Sequence, residues 1–333
     1  LKTLWLWCKN NWLLVLKLVI LAISIWFLYT KLIGENGWKS FEDIKPSEII
    51  AKPLFWVVLV LMGVNWGIET LKWKILVNRF EGISYYTALK SIVTGVFISL
   101  FINILVPNRL GEFAGRILYV RLNKVKAALI TSIGSFAQFI ATALFGSLAF
   151  LVFSFSGIAD RPLEKYEGYL LITALVLLVG LMVLLYLNIN VLSWVLRKPK
   201  FLRRFKKITS VFYFYKTTRL LRVLLLSILR YGVFCSQFIL LLWVCGVDIT
   251  VAQGLVAVPI IFLVQTVVPS NMLSDLVIRG AASTSFLGYY SDNHAGILSA
   301  AYLLWAINIF IPGMVGAVSF SIFKYKEGNG NTH

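Results

Sequence analysis

Two long apolar stretches, at roughly 87–122 and 251–287, are each broken near the middle by Val-Pro and a cluster of polar residues. The first break reads Val106-Pro107-Asn108-Arg109-Leu110-Gly111-Glu112-Phe113-Ala114-Gly115-Arg116. The second reads Val268-Pro269-Ser270-Asn271-Met272-Leu273-Ser274-Asp275-Leu276-Val277-Ile278-Arg279-Gly280. Proline removes a backbone donor and disfavours helix at the residue before it, so neither stretch is one continuous helix. Each predicts a helix, a break and a shorter helix. In each, the acid and the arginine stand at i and i+4, on one face of the helix after the break. Charges beside apolar runs are costly to keep, so a duplicated set points to a site and to a chain of two related halves.

The rest of the chain has the composition of a membrane protein. It is 59% hydrophobic and 14% charged, and apolar runs near or above the ~18-residue spanning threshold recur along it. Crossing helices are expected at roughly 12–33, 53–78, 126–155, 168–190, 221–246 and 295–323. The first run is not followed by a small-residue cleavage site and reads as a true span. The fold class is therefore an all-α polytopic membrane protein with about six crossing helices and two proline-broken hairpins. The whole chain, 1–333, reads as one integral membrane domain.

The net charge of +18 follows the loops beside the spans and sets orientation; it is not gathered into a nucleic-acid-binding domain. Arg197, Lys198, Lys200, Arg203, Arg204, Lys206 and Lys207 make the loop at about 196–222 cytoplasmic. Lys2, Lys9, Lys324 and Lys326 place both termini on the same side, in the plasma membrane. Lys72, Lys74, Arg79, Arg121, Lys124 and Lys126 put both ends of the first broken stretch inside, while Asp248 and Asp292 put both ends of the second outside. Each broken stretch then returns to its own side, and each half holds three crossing helices and one hairpin. Repeat 1 covers about 12–155 and repeat 2 about 168–323, inverted relative to each other, an arrangement that transporters use. Gly82-Ile83 and Gly246-Val247 stand at similar distances before the two Val-Pro breaks.

Candidate substrate-binding residues are Asn108, Arg109, Glu112, Arg116, Ser270, Asn271, Asp275 and Arg279. Asn108, Ser270 and Asn271 are natural caps or ligands at helix N-termini that attract phosphate. The bland alternative is an internal Glu112–Arg116 and Asp275–Arg279 pair that only satisfies buried charge. Small residues around them, among them Gly111, Ala114, Gly115, Ala281 and Ala282, permit close helix approach. Polar stripes lie on other spans: Thr131, Ser135, Gln138 and Thr142; Ser227, Arg230 and Gln237; Asn65, Glu69 and Lys72; and Asn308 near Pro312. Glu69, Gln138, Arg230 and Gln237 are expected to line a cavity, with Glu69 and Arg230 as a cross-half ion pair. Interhelical hydrogen bonding is the alternative for these stripes. Cys8, Cys235 and Cys245 read as packing residues, and two histidines without a metal-ligand spacing give no metal or cofactor site.

The core Pro107-x-x-x-Gly111-Glu112-x-x-x-Arg116 resembles the transmembrane region of lysylphosphatidylglycerol synthases, in particular their stand-alone, flippase-like members. The resemblance runs from about Trp12 to the last span; the second motif departs from it, with Ser274 before Asp275 and one more residue after the proline. It implies translocation of an anionic or aminoacylated phospholipid, or another lipid-linked substrate, between leaflets. No soluble synthase domain is expected after the last span, so aminoacyl transfer is not carried over and the chain is not expected to be an enzyme. The alternative is a non-transporting scaffold that regulates a lipid-synthesis partner. The partners are phospholipid and membrane, not nucleic acid, and homo-oligomerisation is left open.

Overall fold

The computed structural model describes residues 46–102, 110–156, 165–189, 210–270 and 272–321, and among these every regular element is helical. In chain order they are α1 (Pro46–Ala51), α2 (Pro53–Val77), α3 (Tyr85–Ile102), α4 (Leu110–Leu118), α5 (Lys124–Phe155), α6 (Lys165–Leu187) and a 3-10 turn (Ser210–Phe214). There follow α7 (Thr217–Val244), α8 (Val251–Val267), α9 (Met272–Leu287), α10 (His294–Trp305), a π-helical turn (Ala306–Phe310) and α11 (Ile311–Ser321). Five segments are long and apolar enough to cross a membrane: α2, α5, most of α6, α7 and the continuous run His294–Ser321. The crossing expected at 12–33 and most of the basic loop at 196–222 lie outside the described residues.

Local chemistry sets the boundaries. Pro53 opens α2 at a position where its missing N–H costs nothing. The Asn123 side chain caps α5 by accepting from the Val125 N–H, and Asn293 caps α10 by accepting from the Gly296 N–H. A Thr250–Gln253 capping box opens α8. Gly246 turns the chain after α7 at φ +74°, a conformation that a side chain would strain. Large apolar side chains such as Val60, Val152, Leu177, Leu181 and Val318 are left exposed on the outside, a surface suited to hydrocarbon rather than water.

The direction of the chain follows from a few long-range hydrogen bonds. Tyr215, just before α7, donates its hydroxyl to the Leu76 carbonyl near the end of α2 (2.9 Å), and Arg79 Nε donates to the Phe214 carbonyl (3.0 Å). At the other end Lys52 Nζ, just before α2, donates to the Val244 carbonyl at the end of α7 (2.7 Å). Helices α2 and α7 therefore run antiparallel, and the chain leaves them at opposite ends of the bundle. From each it enters a broken segment that doubles back. The Arg121 N–H after α4 donates to the Glu81 carboxylate before α3 (2.8 Å), and Asn293 Nδ2 after α9 donates to the Gly246 carbonyl before α8 (3.0 Å). Lys74, Arg79, Arg121, Lys124, Lys126, Lys216 and Arg219 gather at the end where α3–α4 starts; Glu48, Lys52, Asp248 and Asp292 lie at the other.

The packing pairs off in the same way. Helix α3 lies along α11, and α8 lies along α5, so each doubled-back segment rests on a long helix of the other half. Glycines set these approaches. A Cβ at Gly316 would strike the Val93 carbonyl, and one at Gly146 would meet Leu263 Cβ at 2.6 Å and the Pro259 carbonyl at 3.0 Å. Within the first segment, Gly111 packs on the Ser99 backbone and Gly115 on the Gly95 backbone, a small-residue seam with four-residue spacing on both helices.

One charge has two expected places. Lys72 fits both the cytoplasmic flank and the polar stripe with Asn65 and Glu69, and the structure places it in the stripe, buried inside α2 with the Glu69 carboxylate 3.0 Å away. An ion pair at i, i+3 holds the ammonium where the loop argument would have it snorkel to the surface.

Gly115→Val places a branched side chain on the α3 backbone, which cannot move aside. It is expected to cost on the order of 3 kcal/mol of stability, read as a lower unfolding midpoint in detergent. Gly63→Ala has no neighbour within 4 Å to meet and is expected to leave the midpoint unchanged or raise it by about 0.5–1 kcal/mol equivalent.

Candidate functional site

At half height of the bundle the polar faces of α2, α5 and α7 meet the inner ends of both doubled-back segments around a cavity of about 720 Å³. Its wall includes Glu69 and Lys72 of α2, Glu112 and Arg116 of α4, Gln138 of α5, Arg230 of α7, and Asp275 and Arg279 of α9. Both acid–arginine pairs of the repeated motif thus open into one space. Ser270, at the second break, lines it too, whereas Asn108, Arg109 and Asn271 lie outside the described residues.

The charges are organised around Glu69. One oxygen accepts from Arg116 Nη2 at 2.7 Å; the other lies 3.0 Å from Lys72 Nζ and 3.3 Å from Arg230 Nη1. The Gln138 side-chain oxygen adds a neutral acceptor, 3.3 Å from Lys72 Nζ and 3.4 Å from Arg230 Nη1. Indole faces take up the flat guanidiniums: Arg116 lies over Trp73 at 5.4 Å and Arg230 over Trp66 at 5.7 Å. The Glu69–Arg230 pair joins the halves as the sequence leads one to expect. The internal pairing of the motif holds more loosely on the first side, since Glu112 lies 3.7 Å from Arg116 while Glu69 is closer. On the second side Asp275 and Arg279 pair at 3.1 Å.

Among the described residues, four basic side chains (Lys72, Arg116, Arg230 and Arg279) face three acidic ones (Glu69, Glu112 and Asp275) across the cavity. The surplus is one positive charge. Glu112 and Asp275 remain partly accessible, at 27% and 19% of their side chains, and Glu69 is almost wholly enclosed at 7%. The arrangement suits an anion bearing one charge, with carboxylates close by for a cationic group on the same molecule.

The polar stripes divide between cavity and packing. Ser135, Gln138 and Thr142 of α5 line the space, while Thr131 is satisfied by the Ala127 carbonyl of its own helix. Gln237, expected along the cavity, instead sits buried between helices and donates to the Val58 carbonyl at 3.0 Å. Asn65 Nδ2 donates to Asn308 Oδ1 at 2.9 Å and so links α2 to the π turn. Sequence reasoning overlooked Gln265 and Thr266, which line the cavity from the last turn of α8. Their signal was present: two polar residues close an otherwise apolar arm immediately before Val-Pro. Phe136, Phe139, Phe234 and Phe262 form apolar wall that nothing in the sequence separated from ordinary core.

The family described as Lysylphosphatidylglycerol synthase TM region matches residues 14–317. No curated protein matches the chain.

Because Glu69 separates three cations, Glu69→Gln leaves Lys72, Arg116 and Arg230 facing one another with little solvent. It is expected to cost about 3–5 kcal/mol, whereas Asp275→Asn, which removes a more accessible carboxylate and leaves one arginine rather than three cations without its acid, costs less. Thermal unfolding of the two variants in detergent checks the order. A midpoint for Glu69→Gln at or above that of Asp275→Asn would contradict it.

Proposed function

The chain belongs to the lysylphosphatidylglycerol synthase transmembrane-region family, and we propose that it is a lipid translocase. It moves an anionic or aminoacylated phospholipid, or a similar lipid-linked substrate, between leaflets of the plasma membrane without a covalent step. The observation that carries this reading is the single mid-height cavity lined by Glu112, Arg116, Asp275 and Arg279 from the two doubled-back segments. The barrier to lipid crossing is the charged headgroup in hydrocarbon, where a single ionised group costs several kcal/mol or more. A polar chamber halfway across lowers that barrier. About 720 Å³ is within the usual range for a small-ligand site; it takes a headgroup and leaves the acyl chains in the bilayer.

The same reading takes α3–α4 and α8–α9 as re-entrant hairpins of two inverted repeats, one entering from each leaflet. Support comes from the antiparallel α2–α7 pair, from the hydrogen bonds that close each segment on its own starting end, and from the basic residues gathered at one end. The basic end then faces the cytoplasm, together with both termini.

Liposomes containing labelled phosphatidylglycerol and its aminoacylated form test the transport reading. Wild-type protein is expected to raise transbilayer exchange well above empty liposomes, and Arg279→Ala to lower it at least about tenfold, a loss of ~1.4 kcal/mol. Equal exchange with and without protein would leave a scaffold as the better account. The topology has its own check. In a background lacking the native cysteines, Lys124→Cys and Asp292→Cys are expected to react with an impermeant maleimide from opposite sides of intact vesicles; labelling from one side rejects the inversion.

A further inference from the structure

The two arginines of the repeated motif are not equivalent. Arg116 meets two carboxylates and a ring: Glu69 lies at 2.7 Å, Glu112 at 3.7 Å and the Trp73 ring at 5.4 Å. Arg279 is equally buried, at 3% exposure, but its Nη2 has Asp275 and its Nε has no partner among the described residues. No counterpart of Glu69 approaches it among the described residues. Two more buried N–H groups on the same cavity are also unpartnered, Gln265 Nε2 at the end of α8 and Arg230 Nε on α7. Buried donors are nearly always satisfied, and leaving one empty costs stability, so three around one space ask for an acceptor.

We infer that Arg230, Gln265 and Arg279 form an oxyanion subsite on the second-half side of the cavity, and that it takes the phosphodiester of the translocated lipid. The subsite deepens the translocation reading and rests on it for the source of the ligand. Three donors from three different helices match an anion with several acceptor oxygens better than a carbonyl or hydroxyl, each of which is filled by one or two. Among the described residues the lining carries a surplus of one positive charge, which matches a diester, with one negative charge, better than a monoester, with nearly two. Asp275 reinforces that choice, since a second ligand charge would sit near its carboxylate. Arg116 is then a latch that holds α4 to α2, and the ligand is gripped chiefly from the other hairpin.

The test uses the purified full chain in detergent, with unfolding midpoints measured against added phosphatidylglycerol, phosphatidic acid, diacylglycerol and inorganic phosphate. A ligand that binds only the folded state raises the midpoint. Wild type is expected to rise with phosphatidylglycerol, less with phosphatidic acid, and not with diacylglycerol. Gln265→Leu removes an unsatisfied donor, so its midpoint without lipid is expected to match or exceed wild type while its apparent Kd for phosphatidylglycerol rises about tenfold or more. Arg279→Gln is expected to lose the lipid-induced rise as well, and Arg116→Gln to lower the lipid-free midpoint while keeping the rise. Undiminished rises in Gln265→Leu and Arg279→Gln overturn the subsite, as does a wild type that responds equally to phosphatidylglycerol and diacylglycerol. A rise with inorganic phosphate equal to that with lipid keeps the subsite but makes the free oxyanion its ligand. Intact binding with no transport in liposomes sinks the translocation reading alone.

Discussion

One carboxylate in the middle of the bundle organises the rest. Glu69 lies between an ammonium on its own helix, a guanidinium on the first hairpin and a guanidinium on the opposite half. Without it these groups would repel through a medium that screens poorly. With it, helices α2, α4 and α7 share one electrostatic centre, and Gln138 brings α5 into contact with the same cations. The polar cavity exists at that height because the charges are held there. Each is costly singly, and they persist as a set in which every acid faces a base.

Around that centre the two doubled-back segments are closed alike and finished differently. Each doubled-back segment begins at the end of a long helix, closes on itself through a loop hydrogen bond, and lies against a long helix of the other half. The first hairpin is drawn tight by backbone-to-backbone contact at Gly95, Ser99, Gly111 and Gly115, and by Arg116 reaching Glu69. The second keeps its ion pair to itself and leaves donors unfilled at Gln265 and Arg279. The first segment is thus tied into the bundle by more contacts than the second.

Much of this was legible in the sequence, because the bilayer enforces helix and proline enforces breaks. The limits of α2 at Pro53 and of α8 before Pro269 could be read within a residue or two, as could the i, i+4 pairs and the Glu69–Arg230 contact. What escaped depends on distances between helices. Lys72 fits both a flanking lysine and the polar stripe of Asn65 and Glu69, and the placement of Glu69 toward Arg116 decides for the buried cluster. Gln237 has the spacing of a cavity residue, but helical spacing names a face and not its neighbour, and that neighbour is the Val58 carbonyl. The unequal partners of Arg116 and Arg279 are likewise invisible in motifs that share the Val-Pro and the i, i+4 acid and arginine.

The irregular turn in the final helix has a consequence for alignment. Pro312 cannot donate to the Asn308 carbonyl, and that oxygen accepts instead from Trp66 Nε1 at 3.2 Å, while the Asn308 side chain meets Asn65. The bulge thus works as a key cut for one lock. A slip of the last helix by one residue would swing Asn308 through about 100° and strand both partners. Rotational setting along an apolar helix, which hydrocarbon packing leaves nearly degenerate, is fixed here by a defect in its own ladder.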